Sequence, residues 1–423
     1  MPSALPDTTA AAGPADSAAA NRRPPDSAAD STAADSAAVH PPPSIPAFVE
    51  RASARGYEVS LAGLRGFEIG HLNRVDGWRP GFGLSLLSVR PNALPTLEVS
   101  AGMRTHRLEE PWVRATATQI LSDLDRLRVW VEGYRDTHTP DGWKIGAREN
   151  DFWVFLAHSD LRNYYEANGV RLGASTSDLR PWGFELTLLT ETNESVQEDG
   201  FFTLPTLFGD EGAFRPNPSI AEGRVTSAAL EARLVTAASQ SPALRVPGWS
   251  LTGSLERAGA VLGGDHSFWR GTLHVRRYTR LAERHWLNAR LHLSAPVLGT
   301  EELPRQRFTY LGGPGSLPGF DTLILGGDRG VLASGEYTFQ LPTTPWSAPV
   351  FLLWQLEVFS NVGNAVERSA RARLYSDLRW DAGLGVSGVT VLGYLGVFLA
   401  QRLSNLDEPS SGPRLLFRLQ RTF

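Results

Sequence analysis

The stretch Leu287-Asn288-Ala289-Arg290-Leu291-His292-Leu293-Ser294 alternates strictly between apolar and polar residues. Successive side chains of a β-strand point to opposite faces, so this stretch would place its leucines and its alanine on one face and its polar side chains on the other. The same alternation recurs at residues 97–104, 127–134, 249–256 and 352–358. The pattern predicts a β-protein whose strands each have one apolar and one polar face.

The alternating segments are long for a globular β-protein. They run for roughly 9 to 13 residues, against about 5 or 6 in a usual strand, and a tilted strand that crosses a bilayer needs about 9 to 11. We count about fourteen clear strands between residues 81 and 423, and weaker candidates at 57–67 and 112–119; bacterial barrels have even strand numbers. We therefore predict an all-β fold, a transmembrane antiparallel up-and-down β-barrel of about 16 strands, with about 14 as the alternative. A soluble β-sandwich, whose strands also alternate, stays open on this evidence.

The composition is compatible with a barrel and excludes several other classes. Hydrophobic residues make up 42% and charged residues 20%, which looks soluble, but alternation gives a barrel an ordinary average hydropathy. The longest apolar run, 389–400, is interrupted by glycines and is too short for a membrane-spanning helix. The absence of cysteine excludes thiol catalysis and disulfides, and a net charge of −4 without a dense basic cluster argues against nucleic acid. Lys144 is the only lysine, which we interpret as a bias of the genome.

The first 47 residues form a separate compositional region. They repeat Asp-Ser-Ala-Ala and contain almost nothing to bury, so we predict a disordered segment at 1–47 and a barrel domain at 48–423. This segment lacks the apolar core of a secretion signal, which a protein bound for the outer membrane needs. We therefore expect that the start of the chain is truncated or misplaced.

One further motif is specific. The stretch Arg307-Phe308-Thr309-Tyr310-Leu311-Gly312-Gly313-Pro314-Gly315-Ser316-Leu317-Pro318-Gly319-Phe320 is followed by Gly326 to Gly330 and then by a strand that contains Glu336-Tyr337. This order resembles the BamA/TamA-like bacterial surface antigen superfamily. Its hallmark is a Phe-x-x-Gly-Gly approach, a Ser-Leu-Arg-Gly-Phe/Tyr turn and a glycine-rich return into a strand with Glu-Tyr. Upstream, Asn73-Arg74-Val75-Asp76-Gly77 and residues 217–223 also resemble the family, so the resemblance extends from Asn73 to Phe423.

The resemblance implies an outer-membrane barrel domain, here without the periplasmic POTRA repeats, that helps to insert, translocate or surface-expose other proteins. Its first and last strands would form a seam that opens. A glycine-rich loop (residues 312–330) would fold into the lumen and brace it. The motif residues of this loop are Gly312, Gly313, Ser316, Leu317, Pro318, Gly319 and Phe320.

The loop departs from the family at Pro318, where the family turn has arginine. Alternation places Glu336, Glu357 and Asp381 on lumen-facing sides, and carboxylates without a cation are costly in a dry interior. We hypothesise that Arg329 or Arg307 replaces the missing cation, or that the lumen is wet enough to need none. The alternative is that the three acids are simply solvated lumen residues.

The last strand ends in an aromatic residue. Its apolar face comprises Leu415, Phe417, Leu419 and Phe423, although Arg421 interrupts that face. An aromatic residue at the end of a closing strand anchors it at the membrane interface. In the family this strand is the C-terminal signal for the assembly machinery.

The sequence contains no motif for catalysis or for cofactor binding. A Gly-x-Ser-x-Gly elbow, a His-Glu-x-x-His pair and a phosphate loop are all missing, so we predict no enzyme activity, no metal and no cofactor. We interpret His274 and His292 as structural lumen residues, and Asp160 with His158 as a loop contact. Residues 151–168 have helical spacing and predict a helix on a loop.

Two other functions remain as alternatives to protein assembly. The first is a passive pore, or a membrane anchor for a separate functional domain. The second is a secreted soluble β-protein that binds carbohydrate or a similar ligand. For a barrel, the expected partners are outer-membrane lipid, the outer-membrane assembly machinery and client proteins, and nucleic acid is not expected.

Overall fold

The structure is a computed structural model that describes residues 45–62, 67–122, 127–179, 181–198, 202–209, 213–236, 246–299, 302–342, 351–368, 373–390, 393–404 and 412–419. Residues 1–44 of the segment predicted to be disordered lie outside these ranges, and residues 45–47 belong to a helix. The helices are α1 (Ile45–Ala54) and α2 (Ala147–Ala157). The strands are β1 (Tyr57–Leu61), β2 (Phe67–Asn73), β3 (Gly77–Ser88), β4 (Thr96–Gly102), β5 (Trp112–Ser122), β6 (Leu127–His138), β7 (Tyr165–Leu179), β8 (Trp182–Glu194), β9 (Gly223–Val235), β10 (Gly248–Ala258), β11 (Phe268–Ala282), β12 (His285–Pro296), β13 (Thr309–Leu311), β14 (Leu325–Gly327), β15 (Arg329–Leu341), β16 (Phe351–Val366), β17 (Arg379–Thr390), β18 (Gly393–Arg402) and β19 (Arg414–Arg418).

The strands form one antiparallel sheet of 17 strands, while β13 and β14 form a small hairpin of their own. From β3 onward each strand of the sheet pairs with the next one along the chain, and β12 pairs with β15 across the connection that contains the hairpin. β1 and β2 share one position because both pair with β3: Leu61 lies opposite Leu84, and Phe67 opposite Phe82. In the described ranges the sheet therefore has sixteen strand positions in up-and-down order, as predicted.

The burial of side chains is inverted relative to a soluble protein. On β12, Asn288, Arg290 and His292 are buried, whereas Leu287 is 45% exposed. On β8, the exposed side chains are Trp182, Phe184, Leu186 and Leu188. A soluble sandwich buries its apolar face, whereas a membrane barrel presents that face to lipid and keeps a polar interior. The observed pattern therefore confirms the barrel prediction over the soluble sandwich.

The two ends of the sheet differ in the length of their connections. The long connections 139–164, 195–222 and 297–328 all follow strands that run in the same direction, so they lie at one end, which we call the loop end. Short links such as 283–284 lie at the opposite end. Transmembrane barrels have this asymmetry, with short periplasmic turns and longer extracellular loops.

Helix α2 lies in the first of these long connections, but its bounds differ from the prediction. It begins at Ala147 and ends at Ala157, because His158 adopts a left-handed conformation with φ of 48°. From Tyr165 onward the chain pairs with β6 instead, Tyr165 lying opposite His138. Of the residues predicted to continue the helix, 158–164 have no regular secondary structure and 165–168 belong to β7. No helix in the described part of the chain is long and apolar enough to cross a membrane.

Candidate functional site

The first half of the glycine-rich loop is held together by its own short hydrogen bonds. Residues 311–320 are all buried. The Gly312 amide donates to Ser316 Oγ at 3.0 Å, and the Gly313 amide donates to the Leu317 carbonyl at 3.0 Å. The apolar members of the turn pack into a cluster with the adjoining strands: Leu311, Leu317, Phe320, Leu332 and Ala365. The motif therefore forms a compact turn fixed to β15 and β16.

The tip of this turn contacts the polar face of the sheet. The Gly319 amide donates to Asp381 Oδ2 on β17 at 2.8 Å, and Arg290 on β12 donates to the Gly315 carbonyl at 3.0 Å. The Arg402 guanidinium of β18 lies 4.5 Å from the centre of the Phe320 ring. A Cβ at residue 319 would lie 2.8 Å from the Asp381 side chain, so only glycine allows this approach. The turn is thus bound to β12 on one side and to the paired strands β17 and β18 on the other.

The structure brings the three acidic residues predicted as lumenal close to the turn. Glu336 and Glu357 line one small cavity together with Pro318, and Asp381 accepts the Gly319 amide. The carboxylates accept hydrogen bonds from neutral donors: Asn288 and Thr338 at 2.8 and 3.0 Å for Glu336, Tyr394 and Ser387 for Glu357, and Asn361 at 2.7 Å for Asp381. All three are buried. They are therefore fixed side chains of a packed interior rather than freely solvated ones.

The hypothesis that Arg329 or Arg307 supplies the cation for these acids is wrong. Arg329 pairs with Asp328 at 3.1 Å. It begins β15, and seven residues at about 3.3 Å each separate it from Glu336 by about 23 Å. Arg307 instead pairs with Glu256 at 3.2 Å and with Glu191 at 3.5 Å, on β10 and β8. Sequence spacing could not reveal these partners, because they come from strands distant in the chain.

Two cations that the sequence analysis missed belong to this region. Arg418, on the last strand, lines the same cavity as Glu336 and Glu357. Lys144 is buried, and its Nζ lies 2.6 Å from Asp141 Oδ1 and donates to the Tyr310 carbonyl at 2.7 Å. The single lysine therefore ties the β6–β7 connection to the strand that enters the glycine-rich loop, which is a specific role rather than compositional bias alone. The only feature of the sequence that could have indicated this role is that Lys144 is the single lysine of the chain.

The upstream motif residues meet in a second cluster at the loop end, which we call the Arg74 cluster. Arg74 is fully buried between β2 and β3; its Nη1 lies 3.3 Å from Asp160 Oδ1 and its Nη2 donates to Asn217 Oδ1 at 2.9 Å. Burial and the nearby Asp160 raise the pKa of Tyr164 well above its usual value, so its hydroxyl stays protonated and donates to Asp160 at 3.0 Å. His158 stacks on Phe214 at 3.8 Å. Asp160 and His158 are thus loop contacts, as predicted.

The histidine pair in the interior has an aromatic neighbour. His292 Nδ1 lies 3.0 Å from His274 Nε2, and Trp143 stacks on His292 at 4.0 Å. In the described ranges no group of three or more His, Cys, Asp or Glu residues could hold a metal ion. The pair therefore has the geometry of a packed contact between β11, β12 and the β6–β7 connection.

Two of the four residues predicted as the C-terminal signal, Leu415 and Phe417, lie on the outward face of β19. Leu415 and Phe417 are 61% and 40% exposed, whereas Leu416 and Arg418 between and beyond them are buried. Leu419 follows the strand and is half-buried. Phe423 lies outside the described residues.

Comparison with solved structures relates the chain to two outer-membrane proteins. BamA from Haemophilus ducreyi, lacking POTRA domains 1–3, has 13% identity and a TM-score of 0.57, covering 87% of this chain and 76% of that one. CdiB from Acinetobacter baumannii has 12% identity and a TM-score of 0.42, covering 87% and 66%, and CdiB from Escherichia coli has 14% and 0.43, covering 88% and 69%. No curated protein matches the sequence. The likeness to BamA shows a shared barrel fold.

A family comparison covers the part of the chain that contains most of α2, the glycine-rich loop and all later strands. The Omp85 superfamily domain matches residues 149–423, which is well over half of the chain. This match includes the motif on which the predicted resemblance rests. The chain therefore belongs to the Omp85 superfamily, whose members are outer-membrane β-barrels.

Proposed function

We propose that this protein is an outer-membrane barrel that helps other proteins to insert into, cross or become exposed on the outer membrane, and that it has no enzymatic activity. Its partners would be outer-membrane lipid, the outer-membrane assembly machinery and client proteins. The observation that supports the proposal is the buried turn at residues 311–320, which contacts β12, β17 and β18 in a chain of this family. We infer that the glycine-rich loop is folded into the lumen and braces it.

The strands at the two ends of the sheet, β2 and β19, would provide the site where client strands bind. In the described residues β2 pairs with β3, and β19 pairs with β18. A seam between β2 and β19 would let a client strand add to an exposed sheet edge, because edge backbone groups are free to pair. The brace would keep the rest of the barrel rigid while the seam moves.

A passive pore is the second candidate, because several long charged side chains point into a polar interior. The buried turn and α2 both contact inward residues, which would narrow a permanent channel. Conductance of the purified chain in planar bilayers separates the two. A steady, open conductance without any effect on other proteins would favour the pore.

Depletion of the protein in its own cells tests the assembly role. We expect that the chain fractionates with outer membranes and that it migrates faster on gels before heating than after. Its depletion should lower the amounts of other outer-membrane proteins. Normal amounts of those proteins after depletion would refute the assembly role.

A variant pair tests the brace. Asp381→Asn removes the charge that holds Gly319, whereas Glu185→Gln changes an inward carboxylate of β8 that bonds Thr187. We expect complementation of the depleted strain to fail with Asp381→Asn and to succeed with Glu185→Gln. Equal complementation by both variants would remove the brace from the proposal.

A further inference from the structure

Helix α2 covers the outer edge of β2. The pairing of β2 with β3 places Leu72 opposite Trp78. The Leu72 amide nevertheless donates to Asp151 Oδ1 of α2, at 2.9 Å, and His71 Nδ1 lies 2.8 Å from Asp151 Oδ2. In an antiparallel sheet an amide that does not bond its pairing partner points to the other edge of its strand. Asp151 therefore stands where a neighbouring strand would place a carbonyl.

The same turn of α2 also contacts the last strand. Glu149 Oε1 lies 2.5 Å from Arg418 Nε on β19, and both side chains are buried. On its other side, Arg418 lies opposite Gly396 of β18. A buried carboxylate and guanidinium at this distance form a charge-assisted contact, which is among the stronger polar contacts in proteins.

The helix geometry explains how one turn contacts both strands. Neighbouring residues of an α-helix are about 100° apart around its axis, so Glu149 and Asp151 point about 200° apart. One carboxylate therefore faces β19 while the other faces β2. The start of α2 therefore contacts both β2 and β19.

The same helix is connected to the glycine-rich loop. Lys144, just before α2, donates to the Tyr310 carbonyl, and Gly315 packs so closely that a Cβ there would lie 2.5 Å from the Lys144 carbonyl oxygen. Asn150 of α2 accepts the Leu161 amide at 2.9 Å, which fixes the helix to the return of its own connection. A displacement of α2 would therefore pull on both segments.

We propose that the N-terminal turn of α2 is a latch that joins β2 to the last strand, β19, and masks the edge of β2. This inference rests on the proposed function, because a latch matters where a seam opens. A client strand can pair with β2 at Leu72 only after Asp151 has released that amide. Natural proteins commonly cover exposed strand edges in this way.

Cross-linking tests the latch directly, because the chain has no cysteine and any introduced pair is unique. The full chain with His71→Cys and Asp151→Cys is reconstituted in phospholipid vesicles and treated with a short, reducible bismaleimide. We expect the two cysteines to cross-link efficiently in the folded protein. In planar bilayers, voltage-induced channel openings should be rare in the cross-linked protein and should return when the cross-link is reduced. Absence of the cross-link in heat-modifiable protein, or equal openings before and after reduction, would overturn the latch.

Removal of the two carboxylates gives a second, independent test. We expect Glu149→Gln with Asp151→Ala to raise the frequency of openings severalfold, and Arg148→Gln, on an exposed position of the same turn, to match wild type. Wild-type openings in a folded double variant would overturn the latch; if the double variant does not fold, the cross-linking result decides. If these tests support the latch but depletion leaves the amounts of other outer-membrane proteins unchanged, the latch is kept and the assembly role is refuted. If depletion lowers those amounts but the cross-link and the double variant leave the openings unchanged, the assembly role is kept and the latch is refuted.

Discussion

Replacing Arg74 by methionine removes the centre of the Arg74 cluster. The guanidinium is fully buried and serves Asp160, Asn217 and the Arg162 carbonyl at once. Methionine has similar length but can donate to none of them. The three connections that meet there would lose their common donor.

The contacts set the size of the effect. Removal of one partner of a buried ion pair costs about 3–5 kcal/mol. Asp160 keeps the backbone amides of residues 74 and 162 and the Tyr164 hydroxyl as donors, which reduces that cost. The Arg162 carbonyl keeps Arg215 as a donor, and Asn217 Oδ1 keeps the Tyr164 amide, so neither group is left unsatisfied. We therefore expect a loss of about 3 kcal/mol in the free energy of unfolding, at the lower end of that range.

Urea unfolding in detergent, followed by tryptophan fluorescence, measures this loss. With a slope of about 3 kcal/mol per M, the midpoint would fall by about 1 M. Arg90→Met, at an exposed position in the β3–β4 turn of the opposite end, is the control and should stay within about 0.5 kcal/mol of wild type. A folded Arg74→Met protein with the wild-type midpoint would refute the reasoning.

Three further predictions follow from single residues. An amine-reactive ester should modify Lys144 about a hundredfold more slowly in the folded protein than in urea, as read by peptide mass spectrometry; equal rates would contradict its burial. Burial lowers the pKa of Lys144, so the unfolded chain binds more protons and the free energy of unfolding should rise with pH between that lowered pKa and 10.5; this slope should be smaller in Lys144→Met. Gly315→Ala, at φ of +86°, should lose about 1–3 kcal/mol and expose the glycine-rich loop to limited proteolysis, whereas Gly335→Ala, with open space around it, should resist like wild type.

The alternation of residues was sufficient to predict the architecture. Leu287 to Ser294 has its polar members buried and Leu287 exposed, so a period of two correctly separated the two faces of β12. The prediction succeeded because each strand in a barrel wall has only two environments, lipid and interior. The order of strands also followed the chain, which required no knowledge of distant contacts.

The partners of individual charges could not be predicted in the same way. Arg307 contacts Glu191 across the barrel interior, and Glu149 contacts Arg418 from the other end of the chain. Such pairs depend on how connections fold over the loop end, and sequence spacing carries no information about that. The helix predicted at 151–168 is present, but it begins at Ala147 and ends at Ala157, and residues 165–168 pair with β6 instead.

The Arg74 cluster also determines where foreign peptides could be grafted for display on cells. Segments that touch it, such as 160–164 and 213–217, share one buried guanidinium, so an insertion in either would disturb the other. In the connection between β10 and β11, Asp265 accepts the Arg224 amide of β9 at 2.7 Å, whereas Val261 is 95% exposed. An epitope inserted beside Val261 should be accommodated with the barrel wall unchanged, which makes that connection the natural acceptor site for engineering.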